Sequence, residues 1–228
     1  MALSIRYLLF DIDDTLLNFR DAVEPILRTT MAEFDVPFGE AELATYHRIN
    51  SALWLDLAHG KLTREELYAV RFAQVLAALG SSVDGLAVER RFRHHLTYST
   101  IPEAHAEETL AYLAPRYVIC AASNAPQEQQ EYRLTAVGFR RYFTHVFTSG
   151  GLGVDKPSAA FFDRCLHALG DPPRDSVMML GDSPEADILG GAAAGLKTCF
   201  VNTRGVSLPP DCHPDHTVQT LAALREFL

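Results

Sequence analysis

The sequence has no long apolar run. The one that opens it, Ile5–Phe10, is too short for a secretory core or a membrane span, and no basic start or cleavage site accompanies it. Cysteines are few and unpaired. Cys120, Cys165, Cys199 and Cys212 are scattered, and Cys120 and Cys199 lie in apolar runs that read as reduced core. Positive charge is also scarce, with 20 Lys and Arg against 29 Asp and Glu and a net charge of −9. That balance argues against nucleic acid or an anionic membrane as partner. It does not argue against a small anionic substrate, because local charge and a metal override the net value. Internal repeats and low-complexity segments are missing too. These absences predict a cytoplasmic protein and leave its oligomeric state open between monomer and weak dimer.

What is present is ordinary for a globular chain: 228 residues, 48% of them apolar and 21% charged. That length suits one sizeable domain, or one domain with a smaller insert. The informative stretch is Tyr7-Leu8-Leu9-Phe10-Asp11-Ile12-Asp13-Asp14-Thr15-Leu16-Leu17. Its apolar half predicts a buried strand. It stops in three carboxylates and a hydroxyl. In a parallel α/β sheet, ligands bind beyond the carboxyl ends of the strands, so Asp11 and Asp13 are expected at the mouth of a crevice. Carboxylates crowded there repel one another unless a cation intervenes. Asp and Thr are also ordinary helix caps, so the stretch alone leaves both readings open. A calcium loop counted from Asp11 fails, since its sixth residue is Leu16, not Gly, and its twelfth is Ala22, not Glu.

After Leu17 the pattern turns helical. Asp21–Phe34, Glu40–Leu57, Thr63–Leu79 and Asp84–His95 carry apolar residues at three- and four-residue spacing. Thr63 with Glu66 forms a capping-box pattern. The second half alternates. Helices are predicted from Pro102 to Leu113, Gln127 to Val137, Pro157 to Leu169, Glu185 to Ala194 and Val218 to Leu228. Strands are predicted at Tyr117–Ala122, Phe143–Thr148, Val177–Leu180 and Thr198–Val201, with Gly150–Val154 a flexible connection. Such alternation implies a parallel sheet covered on both faces. The fold class is therefore α/β: a Rossmann-like parallel sheet formed by residues 1–17 and 97–228, with an all-helical cap, 18–96, inserted after the first strand.

Four strand ends carry polar clusters: Asp11-x-Asp13-x-Thr15, Ser123-Asn124, Lys156-Pro157, and Gly181-Asp182 with Asp187 beyond it. Each has a plain explanation as turn, cap or surface charge. All four at one sheet edge match the needs of phosphoryl transfer through a covalent intermediate. That chemistry takes a carboxylate nucleophile, Asp11, and an acid/base, Asp13. It takes groups around the phosphate oxygens, Ser123, Asn124 and Lys156. Asp182 completes an oxygen-rich site with Asp11 and Asp13 suited to Mg²⁺, steadied by Asp187 and Thr15.

With these motifs in this order, the chain resembles the haloacid dehalogenase (HAD) superfamily of phosphotransferases. The resemblance implies that Asp11 is phosphorylated. It also implies that Asp13 transfers protons by its side chain and ligates Mg²⁺ by its main-chain carbonyl, and that the insert is a type-1 cap. Asn50-Ser51-Ala52-Leu53-Trp54, His59-Gly60-Lys61-Leu62-Thr63, Arg71-Phe72, Gly153–Pro157 and Asp187–Leu196 are similar to the bacterial pyrimidine 5′-nucleotidases of that superfamily. The partner implied is a small phosphorylated metabolite, a pyrimidine nucleoside 5′-monophosphate. Phe19, Asn50, Trp54 and Arg71 are the substrate candidates in the cap, where rings stack on a base and an amide bonds its edge. The plainer reading of Trp54 and Phe19 is cap core, and Arg71 also reads as a partner of Glu65 or Glu66. Cys212-His213-Pro214-Asp215-His216 has metal-ligand residue types, but only one cysteine and no second ligand pair. His94-His95 reads as a helix C-terminus. The competing functions are a receiver-type phospho-switch, a metal-free 2-haloacid dehalogenase, and a phosphatase or mutase acting on sugar phosphates or phosphoglycolate.

Overall fold

The structure, a computed structural model, describes residues 5–58 and 60–228. His59, in one of the nucleotidase-like motifs, lies outside the described residues. The chain divides into two compact units, one made of residues up to Phe19 with Thr100–Leu228 and the other of Arg20–Ser99.

The first unit is built on β1 (Tyr7–Phe10), β2 (Val118–Ser123), β3 (His145–Thr148), β4 (Val177–Gly181), β5 (Lys197–Val201) and β6 (His216–Val218). Every neighbouring pair is parallel, in the order β3-β2-β1-β4-β5-β6. β1 is short but wholly apolar, as a central strand buried on both faces requires. Its side chains alternate. Leu8 and Phe10 join Leu110, Leu134 and Leu224 on one face, while Leu9 joins Phe161, Phe162 and Cys165 on the other. The helices of this unit are numbered after the four of the insert: α5 (Ala106–Leu113), α6 (Gln127–Ala136), the single turn α7 (Ser149–Leu152), α8 (Ala159–Ala168) and α9 (Gly190–Ala193).

Three expectations are corrected here. The helix predicted from Pro102 begins only at Ala106, because Pro102 bridges Leu17, and Glu103 and Asn18 exchange main-chain bonds with Leu16 and Ile101. Gly150–Val154 is not a plain flexible connection: the Thr148 hydroxyl accepts from Gly151 N at 3.0 Å and starts a helical turn. The closing helix predicted from Val218 is instead the end of an edge strand followed by a 3₁₀ segment, Leu221–Glu226. Three apolar residues at helical spacing fit either form over so short a stretch.

The second unit is a helical bundle of α1 (Arg20–Glu33), α2 (Glu40–Ala58), α3 (Arg64–Ala78) and α4 (Gly85–Thr97). The Thr63–Glu66 capping box forms, and Asp84 caps α4 through Leu86 N. Phe92 packs edge-on against both Tyr46 and Phe72 in its core. His94 and His95 fall in the last turn of α4, where His95 meets Glu33. Among the described residues, no helix is long and apolar enough to cross a membrane.

Burial pushes the Cys120 and Cys199 thiols up to about 12, so they stay protonated in the core. The residues around Cys212 are engaged separately. Its sulfur packs near the Pro184 carbonyl, Asp215 bonds Lys197 and Thr198, and His216 stacks on Phe227.

Candidate active site

β1 lies between β2 and β4, so the strand order reverses beside it. The crevice at such a reversal is the usual ligand site of an open parallel sheet. Phe10 is in register with Ala121 of β2 and Leu180 of β4, which brings three strand ends to one edge. Asp11, Ser123 and Asp182 stand at those ends. Asp11 N donates to the Leu180 carbonyl at 2.8 Å, tying the first residue past β1 to β4. The chain then turns tightly. Leu16 and Leu17 N both bond the Ile12 carbonyl, and Asp14 takes a left-handed φ of 61°. Thr15 is buried within this turn.

One oxygen from each of Asp11, Asp182 and Asp187 lies within 4.8 Å of the others. Asp187 belongs to a π-helical segment, Pro184–Leu189, a form that recurs at functional sites. Its Oδ2 accepts from Ser183 N at 3.0 Å. A Cβ at position 181 would lie 2.1 Å from that same oxygen, so only glycine lets Asp187 reach the strand end.

Lys156 is the counter-charge. Its Nζ donates to Asp11 Oδ1 at 2.8 Å, Asp187 Oδ1 at 2.6 Å and the Ala122 carbonyl at 2.6 Å. An ammonium has three protons, and all three are committed here. The two carboxylates hold the Lys156 pKa above its ordinary value against the effect of burial. Asp11 is pushed well above the usual carboxylate range, first by burial and then by Asp187, Asp182 and Asp13, with Lys156 opposing. The site is thus short of positive charge: three carboxylates face one ammonium. An all-oxygen donor set with excess negative charge fits a hard divalent cation. Asp187, expected only in a supporting role, stands inside this group.

Asn124 does not point its amide into the open. Lys156 N donates to its Oδ1 at 2.8 Å, and its Nδ2 donates to the Lys156 carbonyl at 2.9 Å. It holds the main chain that carries the ammonium. The Ser123 hydroxyl accepts from Ala125 N at 3.2 Å and from Gln130 Nε2 at 3.0 Å. The Asp13 side chain bonds Gln130 and Arg133 of α6. Neither of those two was legible as a site residue. Gln127–Val137 is legible only as a helix, and Gln127–Arg133 within it is polar in composition.

The candidates of the insert divide. Phe19 belongs to the first unit; its N donates to Asp14 Oδ1 at 3.1 Å, and its ring lies 5.7 Å from the Arg133 guanidinium. In the second unit, Asn50 Oδ1 accepts from both Trp54 Nε1 and Arg71 Nη1, each at 3.2 Å. Arg71 pairs with neither Glu65 nor Glu66. It is buried in a bidentate pair with Glu89 of α4, at 3.0 and 2.7 Å. That pairing makes Arg71 a framework group that orients Asn50. Trp54 remains 38% exposed.

Removing Lys156 leaves two buried carboxylates without their cationic partner, a change that typically costs about 3–5 kcal/mol. Lys156→Ala is therefore expected to melt earlier in chelator and to lose on the order of 10²–10³ in rate. Thermal melts and turnover measured together check this. An unchanged melting temperature would show that the pair contributes nothing to the fold.

The haloacid dehalogenase-like hydrolase family matches residues 5–195, and the chain belongs to that family. It is an enzyme, a phosphomonoester hydrolase of the HAD superfamily. The crystal structure of the HAD-hydrolase YfnB from Bacillus subtilis, bound to magnesium, is 30% identical, covers 99% of each chain and superposes with a TM-score of 0.94. The pyrimidine 5′-nucleotidase PynA of Streptococcus pneumoniae is 31% identical over 98% of this chain and 94% of its own. The pyrimidine 5′-nucleotidase YjjG of Escherichia coli is 31% identical over 97% of each.

Proposed function

We propose that the chain is a Mg²⁺-dependent 5′-nucleotidase that hydrolyses a pyrimidine nucleoside 5′-monophosphate through a phosphoryl group carried on Asp11. The observation that carries the chemistry is the Asp11–Lys156–Asp187 arrangement with Asp182 beside it, at the strand-order reversal. Two full-length relatives named as pyrimidine 5′-nucleotidases support the substrate class.

In this reading an Asp11 oxygen attacks phosphorus and the ester P–O bond breaks. The departing 5′-oxygen takes a proton from Asp13. Water then attacks phosphorus, Asp13 accepts its proton, and the Asp11–phosphorus linkage breaks to release phosphate. Asp11 and Asp182, with the Asp13 carbonyl, are the proposed ligands of the cation. When bound, that ion supplies the positive charge the site lacks against the phosphate dianion. Ser123 and Lys156 are the proposed phosphate contacts, Lys156 in exchange for one of the three bonds it makes in the structure.

Selectivity is assigned to Trp54 and Asn50. Asn50 Oδ1 is taken by Trp54 and Arg71, so its Nδ2 is the group left to donate to a base carbonyl. The test is kcat/KM across UMP, dTMP, CMP, AMP, glucose 6-phosphate and phosphoglycolate. Pyrimidine nucleotides are expected to lead. Trp54→Ala is expected to lower kcat/KM for them while sparing a small aryl phosphate. If phosphoglycolate or a hexose phosphate leads, the nucleotidase reading fails and the phosphatase remains.

A further inference from the structure

We propose that Arg133 and Gln130 are positioning residues for Asp13: α6 takes the carboxylate by one donor on each oxygen and so fixes where its proton is delivered. The proposal rests on the reading of Asp13 as the group that protonates the leaving oxygen.

Gln130 Nε2 donates to Asp13 Oδ2 at 2.7 Å, and Arg133 Nη1 donates to Asp13 Oδ1. The two are three residues apart, on one face of the helix, and are joined by a 3.4 Å bond from Arg133 Nη1 to Gln130 Oε1. Both donors are fully buried, whereas the Asp13 side chain is 28% exposed. Burying a guanidinium and an amide is costly unless they are bonded, so a polar sequence such as Gln127–Arg133 does not place them inside for packing alone. The Phe19 ring lies over the guanidinium and limits its movement. Gln130 Nε2 also reaches Ser123 Oγ, so one amide links Asp13 to a second strand end.

A carboxylate held on one oxygen still swings about its own bonds. Held on both, its plane is fixed. Proton transfer needs heavy atoms within hydrogen-bond reach, and displacement by about 1 Å can cost about 10²-fold. In the first step, the one kcat/KM reads, such a loss appears only where the leaving oxygen needs the proton. The alkoxide of a nucleotide needs it; nitrophenolate leaves without one. A purely structural role for α6 would injure both substrates alike.

The experiment measures kcat/KM for the best alkyl phosphomonoester of the substrate series and for p-nitrophenyl phosphate, in Arg133→Met, Gln130→Leu and Asp13→Asn, all in the full chain with Mg²⁺. In the first two variants, kcat/KM for the alkyl ester is expected to fall about tenfold or more beyond its fall for the aryl ester. The aryl ester is expected to give a rapid release of nitrophenolate followed by slow turnover, because the second proton transfer, from water, also passes through Asp13. The ratio of the two substrates within one preparation does not depend on how much of it has folded. Equal losses on both substrates in Arg133→Met and Gln130→Leu, with Asp13→Asn discriminating, overturn the proposal. If Asp13→Asn itself fails to discriminate, the assignment of Asp13 as the leaving-group acid is what falls.

Discussion

Asp11→Asn is expected to remove turnover of every phosphomonoester, by on the order of 10⁴-fold or more, without lowering the melting temperature. The amide has nearly the shape of the carboxylate but is a poor nucleophile. Loss of a nucleophile leaves only the acceleration from binding and from the groups around the phosphate. The stability half follows from the geometry. Asp11 is buried among Asp13, Asp182 and Asp187, and its ionised form is disfavoured despite the Lys156 contact. A neutral side chain relieves that repulsion while Lys156 keeps Asp187 and the Ala122 carbonyl. Steady-state assays and melts in chelator check both halves. Activity near that of the parent would sink the covalent route. A large fall in melting temperature would instead place Asp11 in the framework.

The residues that announce the site are those the strand ends force into view. Asp11, Ser123 and Asp182 follow apolar runs whose length and flanking turns predict strands, and in a parallel sheet those ends share an edge. Thr63 and Glu66 were legible for a similar reason, since a cap is a local pattern with fixed spacing. What stayed hidden depends on partners far apart in sequence. Gln130 and Arg133 have the composition of a wet surface and are buried only because Asp13, more than a hundred residues earlier, lies against them. Arg71 reads from the sequence as a substrate contact or as a partner of Glu65 or Glu66, yet Glu66 is occupied by the Thr63 cap and the guanidinium finds Glu89. Asn124, expected at the phosphate, also clamps the main chain of Lys156, which no spacing rule shows. Pro102 misled because a proline suits both a helix start and a bridged extended segment.

Withdrawal of the divalent cation is expected to stop turnover as completely as Asp11→Asn, and Mg²⁺ is expected to restore it. Two carboxylates already share one ammonium with a third beside them, and a phosphate dianion adds two more negative charges at the same edge. At short range and low dielectric such repulsion is prohibitive without a cation. Ca²⁺ is expected to bind and inhibit, because its larger, looser coordination moves the carboxylate that must attack. The readout need not be activity alone. A cation that binds only the folded chain stabilises it by RT ln(1 + [L]/Kd), about 2.7 kcal/mol at a hundredfold excess over Kd. Mg²⁺ is therefore expected to raise the melting temperature of the parent, and Asp182→Asn to blunt that rise. Full turnover in excess chelator, with no thermal shift on adding Mg²⁺, would refute the metal-assisted route. It would favour attack by Asp11 on carbon, a reaction for which Asp182 and Asp187 have no evident use.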